Sequence, residues 1–171
     1  TARSILEEGL AYDRCLVGVV TDMDGFETLA DHDVHEASQM RRVIRTQIDV
    51  VLDEGAGVLN ADRPEVAELA ELCDGEVILY SLNAVNEAAA APRAYTEAQH
   101  EGGRAVFVKG SNVVLATGAQ ERVLGTLDAL SLPGGKKPDT PALLAAIATA
   151  WALDITPELI GAGIKTFEYQ A

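Results

Sequence analysis

The chain has 171 residues, 13 Lys and Arg against 27 Asp and Glu, a formal charge of −14, and 48% apolar residues with only 5% aromatic. A chain of this length and apolar content forms about one domain with a core of its own, which argues against wholesale disorder. The acidic residues are spread along the sequence, so no basic stripe exists to neutralise phosphates, and nucleic acid and anionic membrane surfaces are disfavoured as partners.

The opening Thr1-Ala2-Arg3-Ser4 lacks the charged and apolar regions of a signal peptide. Leu16 to Thr21 is a β-branched apolar run suited to a strand buried on both faces of a parallel sheet. A loop rich in Asp and Gly follows, expected to be flexible over about residues 22–33. From Glu36 to Leu52 the apolar positions Ala37, Met40, Ile44, Ile48 and Val51 recur every three or four residues, which predicts an amphipathic helix. Gly55 to Asn60 reads as the next strand, and Asp62 with Pro64 marks the start of a helix running to about Cys73, with Asp62 as N-cap. Asp74-Gly75 turns the chain into a strand from Glu76 to Ser81.

The alanine-rich stretch Asn86 to Glu101 is expected to be helical, although Pro92 lies within it. Arg104 to Lys109 and Asn112 to Thr117, joined by Gly110-Ser111, form the strongest hairpin signal in the chain. Residues 118–139 are irregular in pattern, with a flexible loop expected over about 131–139. Helices are predicted from about Thr140 to Leu153 and from Thr156 to Thr166. The first of these is the longest uncharged stretch and falls short of the roughly 20 residues that span a membrane. The alternation of strands and helices predicts an α/β fold with a mostly parallel sheet, flanking helices and an antiparallel hairpin. Cys15 and Cys73 have neither metal nor redox spacing, so reduced, buried thiols in a cytoplasmic protein are expected.

Phosphate chemistry calls for a G-x-x-x-x-G-K-S/T cradle, and Gly134-Gly135-Lys136-Lys137-Pro138 lacks that spacing and the final hydroxyl. The strongest polar concentration is Thr21-Asp22-Met23-Asp24-Gly25, just past the carboxyl end of the first strand, where open α/β sheets bind ligands. Asp22 and Asp24 there could hold Mg²⁺, or could simply make a turn. Asp31-His32-Asp33-Val34-His35 admits the same two readings, a metal site or a solvated loop.

Ile5 to Cys15, Val19 to Thr21, Met40 to Val51, Val58 to Asp62 and Ala150 to Ile160, taken together, resemble the cyanophycin synthetases, and more narrowly the central domain of their Mur-ligase-like half. The resemblance implies a single domain over residues 1–171 that forms part of an ATP-dependent amide ligase. Such a ligase adds arginine to a polyaspartate backbone through an acyl phosphate. It further implies ATP and Mg²⁺ as cofactors, Thr21, Asn60 and Asp62 in the ATP region, and Asp22, Asp24 and His32 around the metal. The family's phosphate loop precedes the matching segment and its C-terminal domain follows near Phe167, so those two segments, the aspartate polymer and arginine are the implied partners. A homo-oligomer is left open, and the chain alone is expected to be inactive. The family's Asn-Ala-Asp-Asp-Pro becomes Asn60-Ala61-Asp62-Arg63-Pro64, and an Asn expected near the adenine becomes Ala142. A degenerate, non-catalytic Mur-like scaffold and another ligase of the Mur superfamily are the alternatives.

Overall fold

A computed structural model of the chain describes residues 1–84, 103–130 and 139–167. One six-stranded sheet organises it, with β1 (Cys15–Val20), β2 (Val51–Asn60), β3 (Glu76–Ser81), β4 (Arg104–Lys109), β5 (Asn112–Thr117) and β6 (Gln120–Thr126) side by side in chain order. The first four strands are parallel, and β4, β5 and β6 form an antiparallel meander. The fold is therefore α/β, mostly parallel, with an antiparallel edge.

The apolar runs in β2 and β3 suit this arrangement because both faces of the sheet are covered. Side chains alternate across a strand, so Leu59 and Leu79 face one layer while Val58, Ile78 and Tyr80 face the other. The first layer is built from α1 (Ala2–Glu8), a 3₁₀ segment Phe26–His32, α2 (Ala37–Ile44), α3 (Thr46–Asp49), α4 (Pro64–Ala67) and a 3₁₀ segment Glu68–Leu72. Leu29, Met40, Ile44, Ile48, Val66 and Leu69 are among its buried side chains. The second layer is the C-terminal pair α5 (Thr140–Ala152) and α6 (Pro157–Thr166), which buries Leu143, Leu144, Ile147, Ala148 and Ile160.

The helix predicted from Glu36 to Leu52 is cut twice. The Thr46 hydroxyl donates to the Val43 carbonyl at 2.6 Å, a side-chain bond that competes with the helical ladder, and the hydrogen-bond ladder is interrupted there although Arg45 keeps helical backbone angles. Val51 and Leu52 belong to β2, which starts four residues earlier than predicted and pairs Val51 with Cys15. Asp62 is not a helix cap: Arg63 occupies that position, with Pro64 in the first turn, and only Pro64–Ala67 is α-helical before the tighter 3₁₀ turn. The stretch after Thr117 is not irregular throughout, since Gln120–Thr126 forms β6. Asp139 and Thr156 cap α5 and α6, their side chains accepting from Ala142 N and Leu159 N. The cysteine thiols are free but only partly buried, and that burial pushes both upward in pKa. The helix expected at Asn86–Glu101 lies outside the described residues, as does the 131–139 loop apart from Asp139.

Two features brace the sheet. Gly75 sits so close to β2 that an added Cβ would lie 2.4 Å from the Gly55 carbonyl and 2.5 Å from that of Leu52. Arg104 reaches from β4 to grip the Glu76 carboxylate with Nε at 2.9 Å and Nη2 at 2.5 Å. Its Nη1 donates to the Trp151 carbonyl at 2.7 Å, with the guanidinium 5.1 Å from the indole centroid. The cation thereby meets a carbonyl in the last turn of α5, the end where positive charge is favoured.

Candidate functional site

Parallel strands deliver their carboxyl ends to one edge of the sheet, where residues 21–25, 60–63 and 81–83 come together. Asn60 and Ser81 are the buried polar residues among those described, and each locks a loop to its neighbour. The Asn60 amide donates to the Thr21 carbonyl at 3.0 Å, and its Oδ1 accepts from Asp62 N at 3.0 Å. Asp62 in turn accepts from Ser81 Oγ at 2.6 Å and from Leu82 N at 2.7 Å. Thr21, Asn60 and Asp62 are thus brought together in one network that fixes how the three strands end.

Asp22 accepts from the Thr21 hydroxyl at 2.9 Å and from Asp24 N at 3.2 Å, which makes an Asx turn. Asp24 accepts from the Arg63 guanidinium at 2.8 Å, with both side chains largely in solvent. His32 lies apart from these two carboxylates in a different group. Its Nε2 is 3.1 Å from Arg3 Nη1 and 3.2 Å from Glu7 Oε1, while Arg3 also donates to Asp31 at 2.8 Å and to the Thr28 carbonyl at 2.6 Å. His32 therefore helps pin α1 to the 3₁₀ segment, and the structure does not gather Asp22, Asp24 and His32 into one cluster. Among the described residues no group of three or more His, Cys, Asp or Glu side chains is placed to hold a metal. His35 and Asp33, 4.0 Å apart, are both well exposed.

Beside this edge a cleft of about 670 Å³ opens between residues 23–27, the start of α2 and α4. Asp24, Glu27, Glu65 and Glu68 line it together with Arg41, which pairs with Glu68 at 3.1 Å. On the opposite side of the sheet, the Tyr80 hydroxyl is buried without a hydrogen-bond partner. Burial first, then the negative charges of Asp22, Asp62 and Asp139, push its pKa up to about 12.

Hard carboxylate oxygens are the donors Mg²⁺ prefers, and it commonly binds through one or two of them alongside waters and substrate phosphates. Asp22 and Asp24 carry oxygens of that kind, those of Asp22 engaged by Thr21 Oγ1 and Asp24 N and that of Asp24 by Arg63. The described residues offer no glycine-lysine cradle for phosphates. Nothing in the sequence pattern marks Ser81 or Tyr80 as a site residue. Arg63 was legible as the basic residue inside Asn60–Pro64, whereas Ser81 read only as the end of a strand.

No protein-family model matches the chain. It aligns over 98% of its length with cyanophycin synthetase from Crocosphaera subtropica at 33% identity, and over all of it with the Synechocystis sp. enzyme of the same name at 34%. The chain is related to cyanophycin synthetase. It spans 19% of the length of each of these two relatives. A third cyanophycin synthetase, from Geminocystis herdmanii, is 30% identical over 95% of the chain. Among solved structures, the UDP-N-acetylmuramoylalanyl-D-glutamyl-2,6-diaminopimelate--D-alanyl-D-alanyl ligase of Acinetobacter baumannii superposes on 91% of the chain with a TM-score of 0.57 at 14% identity, using 29% of its own length. The cyanophycin synthetase-like chain thus has the fold of a segment of a Mur ligase. No helix among its described residues is long and apolar enough to cross a membrane.

Proposed function

We propose that the chain serves as one segment of a cytoplasmic, ATP-dependent acid–amino acid ligase of the cyanophycin synthetase kind, which adds arginine to a polyaspartate backbone. The observation that carries this reading is the alignment of essentially the whole chain with proteins of that name. The carboxylate-bearing edge of the sheet supports it. ATP and Mg²⁺, when bound, would supply the activation of the carboxylate that is to be amidated.

In this reading Asp22 and Asp24 face the metal, and the Asx turn at Asp22 presents its carboxylate at the sheet edge. Thr21, Asn60 and Asp62 belong to the nucleotide end, where Asn60 and Asp62 act by holding three strand ends in fixed relation. Arg63 neutralises Asp24 until a metal competes for it. The phosphate-binding loop and the C-terminal domain come from other parts of the longer polypeptide.

The test is turnover with Mg²⁺-ATP, arginine and aspartate polymer. The longer polypeptide incorporates arginine and the 171-residue chain alone does not. Replacing Asp22 and Asp24 together by Ala in the longer polypeptide should abolish incorporation, and unchanged turnover refutes the metal assignment. One observation favours a non-catalytic scaffold instead, namely that His32 is engaged by Arg3 and Glu7 away from the carboxylates. A longer polypeptide that neither hydrolyses ATP nor incorporates arginine would establish that second reading.

A further inference from the structure

Ser81 is the most deeply set polar side chain at this edge of the sheet. It ends β3 at 0% exposure, and a hydroxyl placed there is costly unless it is bonded. Its Oγ lies 2.6 Å from Asp62 Oδ1 and 2.9 Å from the Asn83 carbonyl, and it accepts from Asn83 N at 2.9 Å. A hydroxyl has one proton to give, and the shorter contact, to a charged acceptor, takes it. Leu82 N donates to Asp62 Oδ2 at 2.7 Å, so residues 81 and 82 clasp both oxygens of one carboxylate.

From Asp62 the bonds cross the sheet, each donating in the same direction. Asp62 N donates to Asn60 Oδ1 at 3.0 Å, the Asn60 amide donates to the Thr21 carbonyl at 3.0 Å, and the Thr21 hydroxyl donates to Asp22 Oδ2 at 2.9 Å. Asp22 Oδ1 then accepts from Asp24 N at 3.2 Å. The path begins on a fully buried hydroxyl, passes the carboxyl ends of β3, β2 and β1 in turn, and finishes on exposed carboxylates. A second tie runs beside it, because Arg63, the residue after Asp62, holds Asp24 at 2.8 Å. Both routes into residues 21–24 therefore start at the turn that the Asp62 carboxylate anchors to β3.

We propose that Ser81 is a positioning residue for the ligase reaction, acting through Asp62 and Asn60 to set the loop that carries Asp22 and Asp24. This rests on the reading of the chain as a segment of such a ligase. Position 81 then requires a strong hydroxyl donor and not only a small side chain. Without that donor Asp62 Oδ1 loses its bond to β3, and the turn at residues 62–63 is held there by fewer bonds. The Asn60 amide accepts at one end and donates at the other, so loosening its bond to Asp62 N weakens its bond to Thr21 as well.

The test uses Ser81→Ala and Ser81→Cys, with amide exchange read residue by residue by NMR on the 171-residue chain and arginine incorporation measured on the longer polypeptide. Cys nearly keeps the volume of Ser but donates weakly, so the two variants should behave alike. In both, the amides of Asp24, Asp62 and Leu82 should exchange at least fivefold faster than in wild type, while those of Val58 and Ile78 within β2 and β3 stay within twofold. The kcat for arginine incorporation should fall at least tenfold. Equal acceleration at all five amides would mean that the hydroxyl only stabilises the fold, and overturns the proposal. So does an unchanged Asp24 amide, or a Ser81→Cys variant with wild-type exchange and turnover. If the wild-type longer polypeptide fails to incorporate arginine, the ligase reading falls, while selective exchange still supports the coupling of Ser81 to the loop. Selective exchange with an unchanged kcat does the reverse, sparing the ligase reading and overturning the positioning role.

Discussion

Tyr80 offers the sharpest test of the physical reasoning, because its ring fills the core at 1% exposure while its hydroxyl is buried without a partner. A buried, unsatisfied hydroxyl costs about 1–3 kcal/mol, and deleting it while keeping the ring removes that cost. Tyr80→Phe should therefore raise stability by about 1–2 kcal/mol, which for a chain of this size is a rise in Tm of roughly 2–8 °C. A second signature lies in alkali. The folded chain holds the phenol proton up to about pH 12, while the unfolded chain releases it near 10. The contribution is complete below pH 10 and is lost as pH rises toward 12, amounting to about 3 kcal/mol at 1.36 kcal/mol per pH unit. Urea denaturation of wild type and Tyr80→Phe at pH 8, 10 and 11.5 reads both effects. The variant should start more stable and lose less on alkalinisation. A variant less stable by more than about 1 kcal/mol at pH 8 would mean that the hydroxyl is satisfied in solution, and the argument would fail.

Arg104→Ala removes the grip on Glu76 and on the Trp151 carbonyl and should cost about 2–4 kcal/mol; Arg104→Lys, which lacks the planar fork, should recover less than half of that in urea melts. Gly75→Ala drives a methyl into two backbone carbonyls and should cost about 2–3 kcal/mol, which thermal melts would register as a drop in Tm of several degrees. The guanidinium of Arg3 holds Asp31, and that of Arg122 holds Glu158, below the usual carboxylate range. Both ion pairs therefore support the fold above about pH 4 and release it as pH falls through the depressed values. Arg3→Ala and Arg122→Ala should flatten the loss of stability between pH 5 and 2.5, and slopes equal to wild type would show that these exposed pairs contribute nothing.

Where local chemistry matched the tertiary demand, the sequence could be read directly. The hairpin at Gly110-Ser111 and the helix opening on Thr156-Pro157-Glu158 fall within a residue of expectation, because turn and cap geometry are encoded in adjacent residues. The segment 36–52 misled because its apolar spacing suits a helix throughout, while the pairing of Val51 with Cys15 depends on residues far away in the sequence. β6 has no strand signature because Gln120, Glu121 and Arg122 give a sheet edge the polarity of a loop. Within the site, Asp62 reads as a cap because an Asp two residues ahead of Pro64 suits a helix start; in the fold it accepts instead from Ser81 Oγ and Leu82 N. The family resemblance groups His32 with Asp22 and Asp24, whereas the intervening turns carry it to Arg3 and Glu7.

The placement of α5 and α6 has a bearing on synthesis. The helices that link β1, β2 and β3 all lie on one face, as successive right-handed crossovers in one direction require. Among the described residues, the opposite face, with Val58, Ile78, Tyr80 and Val106, is covered mainly by residues 139–164, with Leu130 beside them. A chain emerging from the ribosome amino end first would carry a sheet whose second apolar face lacks the cover of α5 and α6 until this last stretch had been made. Its folding therefore has to wait for the end of the segment, and the interval in which an apolar surface awaits its cover is when holding by a chaperone would matter most.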